Sequence, residues 1–179
     1  MASSADPLAV PPARRRRKYP PAVQALRKLS LIGRRATCGL RVLPDFLIIG
    51  GQRCGTTSLA AYLREHPAIV PAFTKEVHYF NLNFYKGLGW YRARFPTRLA
   101  CDLRARAIGR RPITGEATAD YFTHPGCAAR VAMTLPDVRL ILLLRDPVHR
   151  AYSHYQQKVR SGREWLPFPE AIACEPERL

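Results

Sequence analysis

Acidic residues are scarce in this chain. Its 179 residues hold 13 Asp and Glu against 29 Lys and Arg, a formal charge of +16. That balance disfavours cationic partners and suits an anionic ligand. The excess is uneven. Ten of the basic residues and one acid fall in residues 1–41, a local charge of +9, while the other 138 residues carry +7. Long apolar runs are missing as well. No stretch approaches the roughly 18 residues of a membrane-crossing helix, so no membrane span is expected. The N-terminus has basic residues but no clean apolar segment before a cleavage site, which argues against a secretory signal and leaves an Arg-rich transit peptide as the alternative. The five cysteines (Cys38, Cys54, Cys101, Cys127, Cys174) are odd in number and lack C-x-x-C spacing. They read as reduced thiols rather than as a disulfide framework or a zinc site. The five histidines show no H-E-x-x-H or similar spacing, so no metal is expected. Together these absences give the expectation of a cytoplasmic protein.

What is present begins with "ARRRRK" at 13–18, flanked by Pro11, Pro12, Pro20 and Pro21. Such a run can bind nucleic acid or an anionic membrane. No aromatic-interleaved basic surface or finger spacing accompanies it, so residues 1–43 read as a solvated, disordered leader with a short basic helix near 22–30. No specific nucleic-acid partner is expected.

From residue 44 onward strands and helices alternate. Asp45–Ile49 is a short apolar run ending at glycine, as a buried strand does. Thr56–His66 has helical spacing and stops before Pro67. Short strands are expected at Ala68–Ala72 and Pro112–Gly115, and "VRLILLL" at 138–144 is the strongest strand of the chain. Trp90–Phe95, Leu99–Ala107, Gly126–Leu135, Pro147 to about Val159, and Phe168–Cys174 read as helices. Lys75–Phe80 alternates polar and apolar residues like an extended segment. The alternation predicts an α/β fold with a central, mostly parallel sheet. Ligands of such sheets bind beyond the carboxyl ends of the strands. The unusual polar groups sit there: residues 50–58, Glu116 and Arg145.

The first of these is "FLIIGGQRCGTTSL". It nearly spells the P-loop G-x-x-x-x-G-K-[ST], with Gly50 and Gly55 in place, but Thr56 stands where the lysine belongs. Glycines let backbone N–H groups approach an anion, and the following helix offers its positive end. Thr56, Thr57 and Ser58 add hydroxyls, and Arg53 adds a planar cationic fork. Cys54 invites a phosphatase reading, but C-x-x-x-x-x-R needs arginine at 60, which is Ala60. Elsewhere, "RDPVHRAYSHY" at 145–155 puts Arg145 after the strongest strand and Ser153 two turns into the next helix, a pair able to hold one phosphate. In "KEVHYF", Glu76 and His78 fall two apart, on one side of an extended segment, as proton handling at a hydroxyl requires.

Taken together these residues resemble the sulfotransferases that use 3′-phosphoadenosine 5′-phosphosulfate (PAPS). "FLIIGGQRCGTTSL" is similar to their 5′-phosphosulfate loop, a P-loop relative with its cation before the second glycine. "LLLRDPVHRAYSHY" is similar to their 3′-phosphate motif. "KEVHYF", "GLGWYRARFP" and "ITGEATADYF" occur in the same order in the branch holding the heparan sulfate sulfotransferases and their bacterial relatives. The resemblance covers residues 44–179 and leaves out the leader. It implies a P-loop-like three-layer fold and sulfuryl transfer from PAPS to a hydroxyl or amine of a carbohydrate or small-molecule acceptor, without a metal. It assigns the cofactor to Arg53, Cys54, Gly55, Thr56, Thr57, Ser58, Arg145 and Ser153, and catalysis to Glu76, His78 and Arg53.

Three departures stand out. Most of this branch has lysine where Arg53 stands. The glucosaminyl 3-O-sulfotransferases have lysine and aspartate where Ala117 and Asn81 stand, which weighs against a heparan-like acceptor. Domains of the family also continue past the position of Leu179, with a further strand, cleft walls and a loop over the 3′-phosphate. The fold is therefore expected to be incomplete at the C-terminus, and these 179 residues alone are expected to show weak or no activity. The rival readings are a P-loop kinase or NTPase, a basic nucleic-acid-binding protein, and an inactive cofactor-binding paralogue.

Overall fold

The computed structural model describes residues 20–175, which form two compact units, residues 20–144 and residues 145–175. The basic run at 13–18 lies outside the described residues. In the larger unit the elements run in chain order: α1 Pro21–Ala36, β1 Phe46–Gly50, α2 Thr56–Glu65, β2 Ile69–Pro71, α3 Gly87–Arg92, α4 Arg98–Ile108, β3 Ile113–Ala117, α5 Cys127–Thr134 and β4 Arg139–Leu143. A π-helical turn occupies Tyr79–Asn83. The smaller unit holds α6 Pro147–Arg160 and α7 Phe168–Ala173.

The four strands form one sheet in the order β2-β3-β1-β4, and every pairing is parallel. The expected strands are all found, within one or two residues at their ends. The sheet is the middle of three layers, as period-two side-chain alternation requires of a strand covered on both faces. Phe46 and Ile48 face one way and pack with Ala117, Leu59, Ala60 and Leu63, the last three from α2. Leu47 and Ile49 face the other way, into an aromatic core of Tyr79, Phe80, Tyr91, Phe95 and Tyr121. These rings meet edge-on or stacked, with Tyr79 and Tyr91 centroids 4.3 Å apart and Phe80 and Tyr121 5.3 Å apart. Such pairs add stability beyond their buried area.

Two expectations are corrected. Residues 1–43 read as a disordered leader with a short helix near 22–30; that helix is present but longer, as α1, and the described part from Pro20 is tied into the unit. Pro21 starts α1 where a missing N–H costs nothing. Arg34 donates to the carbonyls of Ala93 (2.7 Å) and Phe95 (2.8 Å). Arg41 is buried and donates to Phe95 O at 2.8 Å. Two basic residues of the expected leader, Arg34 and Arg41, thus cap carbonyls just after α3. The second correction concerns Lys75–Phe80, which is not extended. Glu76 and His78 both have φ of +53°, so the i, i+2 argument for a shared side does not apply to them.

Candidate active site

β1 ends at Gly50, whose φ of +146° is a glycine conformation. An added Cβ there would collide with the Leu143 carbonyl, so the glycine lets β1 and β4 lie close where the loop leaves the sheet. Gly51 N–H donates back to Leu143 O at 3.3 Å. The loop closes with Cys54 N–H on Gly51 O at 3.2 Å. Gly55, at φ +92°, then starts α2 and offers no side chain to cap it. The first-turn N–H groups of α2 are of the kind that an anion satisfies. Cys54 itself makes only a weak thiol contact, 3.9 Å to Gln52 O.

A second segment is hung beside this loop by β3. Glu76 N–H donates to Ala117 O at 3.2 Å, and Thr118 N–H donates to Ile48 O at 3.0 Å. The Glu76 side chain is about half exposed, at 53%. Lys75 reaches across: its Nζ lies 2.5 Å from Thr57 Oγ1 and 3.3 Å from Glu76 Oε1. The Lys-Glu pair is therefore present at the surface, but its lysine also touches the phosphate-type loop. Thr56 is buried and Thr57 exposed.

The imidazole of His78 is less exposed than Glu76, at 24%. Asn81 Nδ2 lies 3.2 Å from its Nδ1, while Asn81 Oδ1 accepts from Leu82 N–H at 2.9 Å. The amide nitrogen is thereby turned to the ring, an arrangement that suits the tautomer with its proton on Nε2. Asp120 Oδ2 stands 4.0 Å from the same Nδ1. Asp120 also accepts from Gln52 Nε2 at 2.9 Å. The carboxylate that the resemblance places at position 81 is missing there, and Asp120 brings one to the same imidazole from another segment.

Among the described residues, three non-glycine residues have positive φ: Arg53 at 70°, Glu76 at 53° and His78 at 53°. They are the same three that the sequence marks for catalysis. Such backbone costs of order 1–3 kcal/mol each and clusters at functional sites.

The structure thus brings Arg53, Thr56, Thr57, Ser58, Glu76 and His78 into one unit, around the ends of β1 and β3. Lys75, Asp120 and Gln52 belong to the same constellation and escaped the sequence reading. Lys75 was readable as an ordinary surface partner of Glu76, and Asp120 sat inside "ITGEATADYF" without a spacing to mark it. Glu116 is corrected: it does not end its strand facing ligand but lies within β3, 3% exposed. Phe80, Tyr91 and Tyr121 are core residues. Trp90 is half-buried, with the Arg94 guanidinium 4.1 Å and the Lys86 ammonium 4.9 Å from its ring centre.

Arg145 and Ser153 belong to the smaller unit. Arg145 follows β4 in the chain and is exposed, and Ser153 is half-buried on α6. Asp146 caps α6, accepting from His149 N–H at 2.9 Å. That hydrogen bond holds the Asp146 carboxyl below its ordinary value. Tyr152, Tyr155 and Phe168 pack α6 and α7 together, and Tyr155 donates to Leu166 O at 3.0 Å.

Comparison with protein families matches residues 43–173 to the sulfotransferase domain. The chain belongs to the sulfotransferase domain family. It is 38% identical over 127 residues to the membrane-associated sulfotransferase kil1 of Dictyostelium discoideum, covering 71% of this chain and 25% of that protein. It is 38% identical over 134 residues to heparan sulfate glucosamine 3-O-sulfotransferase 3B1 of Mus musculus, covering 75% and 31%. It is 33% identical over 126 residues to bifunctional heparan sulfate N-deacetylase/N-sulfotransferase 1 of Caenorhabditis briggsae, covering 67% and 13%. Among solved structures, a sulfotransferase from Alicyclobacillus acidocaldarius superimposes with a TM-score of 0.59 at 34% identity, over 76% of this chain and 58% of that one. The fold is thus the P-loop-like α/β fold of sulfotransferases. The chain spans less than a third of the length of these curated relatives.

Proposed function

We propose that this sulfotransferase-family chain binds PAPS and serves sulfuryl transfer to a hydroxyl or amine of a carbohydrate or small-molecule acceptor. The observation that carries this reading is the Lys75 bridge. It ties a glycine-shaped anion loop to the carboxylate of Glu76 within one hydrogen-bonded cluster. The donor set fits a phosphosulfate: an uncapped helix start, the hydroxyls of Thr56, Thr57 and Ser58, and the cations of Arg53 and Lys75. The Arg145–Ser153 motif assigns these two residues to the 3′-phosphate on sequence.

When bound, the cofactor supplies a sulfuryl group activated by its bond to phosphate. Around it each side chain has a separate task. Glu76, exposed and beside the loop, takes the proton from the acceptor oxygen or nitrogen. His78 steadies the acceptor through its Nε2–H, its Nδ1 side being occupied by Asn81 and Asp120. Arg53 and the loop N–H groups stabilise charge that develops on the leaving diphosphate, an effect worth roughly 3–4 kcal/mol per well-placed donor. Arg53 keeps charge and donors where the resemblance implies lysine in most of that branch, but a guanidinium does not shuttle protons. Glycan acceptors are favoured because two of the compared relatives carry heparan sulfate in their names.

The test is the Glu76→Gln variant, made in a chain with the full length of the family's domains and assayed with PAPS and a panel of sugar and small-molecule acceptors. Turnover is expected to collapse while 3′-phosphoadenosine 5′-phosphate, the cofactor product, still binds. Near-normal turnover would remove Glu76 as the base. Tighter binding of ATP–Mg²⁺ than of the cofactor product would replace the whole reading with a kinase or NTPase.

A further inference from the structure

Glu116 takes no part in the chemistry above, yet it is a fully buried carboxyl at the centre of the larger unit. Four donors converge on it. Tyr91 Oη donates to Oε1 at 2.7 Å, Tyr121 Oη to Oε1 at 3.1 Å and Thr118 Oγ1 to Oε2 at 2.9 Å. The Val77 N–H approaches the same carboxyl as the fourth, outside ordinary hydrogen-bond geometry. Burying a carboxyl in an aromatic core is costly unless its hydrogen bonds are made. Here the partners extend to one place, the segment carrying Glu76 and His78.

The bonds alternate with the strained residues. Glu76 N–H is held by Ala117 O. Val77, between the two positive-φ residues, directs its N–H at the Glu116 carboxyl and buries its side chain. Tyr79, just after His78, gives its N–H to Tyr121 Oη at 2.7 Å. That hydroxyl passes its own proton on to Glu116. His78 O accepts from Leu82 and Asn83 N–H at 3.2 and 2.9 Å. Left-handed backbone at a glutamate and a histidine persists only where the surroundings over-determine it. The Glu116 cluster supplies that determination from inside the core.

We propose that Glu116 is a positioning residue: with Tyr121 it fixes the Val77 and Tyr79 amides and so holds Glu76 and His78 in the left-handed conformation that presents them beside the anion loop. This rests on the sulfotransferase reading for its functional meaning, but the geometry it asserts is independent of it. The donor set accounts for a carboxylate rather than an amide. Three hydroxyls and an N–H face the group, and a glutamine of the same shape turns two further N–H donors toward them.

The test uses Glu116→Gln and Tyr121→Phe in this chain, read first by amide hydrogen exchange. In Tyr121→Phe the Tyr79 amide is expected to exchange roughly tenfold faster or more, as loss of about one net hydrogen bond implies. In Glu116→Gln the Val77 amide is expected to behave likewise. The amides of Leu47, Ile48 and Ile49 in β1 keep their wild-type rates in both variants. Unchanged exchange at Val77 and Tyr79 overturns the inference, and so does equal acceleration through β1, which marks a merely structural role. If Glu116→Gln fails to fold, Tyr121→Phe decides alone. Under turnover, both variants are expected to lose kcat roughly 10- to 100-fold with KM for PAPS little changed. A wild type that neither transfers a sulfuryl group nor binds 3′-phosphoadenosine 5′-phosphate defeats the functional reading and leaves the exchange result to judge the positioning role.

Discussion

Lys75 Nζ lies 2.5 Å from Thr57 Oγ1 and 3.3 Å from Glu76 Oε1, so one ammonium joins the start of α2 to the proposed base. The lysine that a P-loop carries at position 56 is absent, and this one arrives from another segment. Lys75→Met is therefore expected to weaken binding of 3′-phosphoadenosine 5′-phosphate. The lysine is partly exposed and screened, so the loss is modest, about 2- to 5-fold at low ionic strength. It shrinks as salt is added, because exposed charges are screened within about 10 Å at 0.1 M. Calorimetric titration at two salt concentrations measures both. Equal affinity of the two proteins at low salt would separate Lys75 from the anion.

Gly50 is the geometric condition for the loop. Its φ of +146° and the nearness of the Leu143 carbonyl leave no room for a methyl group. Gly50→Ala is expected to destabilise the chain by at least about 2 kcal/mol, from backbone strain and forced separation of β1 and β4. The urea midpoint reads this directly. A variant within about 0.5 kcal/mol of wild type, the range of ordinary surface changes, would mean that β4 yields without cost.

The sheet was legible because its signals are local. "FLIIG" and "RLILL" are apolar runs bounded by glycine or a polar turn, and both are strands. The loop was legible for the same reason: Gly50 and Gly55 mark the two places where only glycine backbone serves. The 75–80 segment was not. Its alternation of Lys75, Glu76, Val77, His78, Tyr79 and Phe80 imitates a strand, but the Val77 and Tyr79 amides are claimed by Glu116 and Tyr121, some 40 residues away. Periodicity carries no record of such long-range bonds. Asp120 and Lys75 were hidden likewise, since each gains its role only when parallel pairing sets the ends of β1 and β3 side by side. Arg34 and Arg41 looked like leader charge because their acceptors are bare carbonyls, which no sequence pattern displays.

Those arginines make the region before β1 part of the fold. Arg34 bonds to two carbonyls and lies 4.5 Å from the centre of the Phe73 ring. Burial, with Arg41 and Arg94 nearby, lowers its pKa to about 10. It remains charged at neutral pH, so its hydrogen bonds are charge-assisted. Arg34→Ala is expected to cost about 1.5–3 kcal/mol, as for hydrogen bonds to charged groups. Chemical denaturation of the variant checks this. An unchanged midpoint would show that α1 contributes nothing to the stability of the unit.

Glu116 gives the chain a pH dependence of definite sign. Burial raises its carboxyl above the ordinary 4.5, and the bonds from Tyr91, Thr118, Tyr121 and Val77 offset this only in part. The folded state therefore holds this proton more tightly than the unfolded state does. The stability it contributes is full below pH 4.5 and is lost as pH rises through the raised value, at up to about 1.4 kcal/mol per pH unit. Glutamine does not titrate, so Glu116→Gln lacks this decline. The stability gap between wild type and variant is expected to narrow as pH rises from 4.5, and then to level off. Urea midpoints of both proteins across that range measure it. A gap that widens instead would mean that the four donors outweigh burial and hold the carboxyl below its ordinary value.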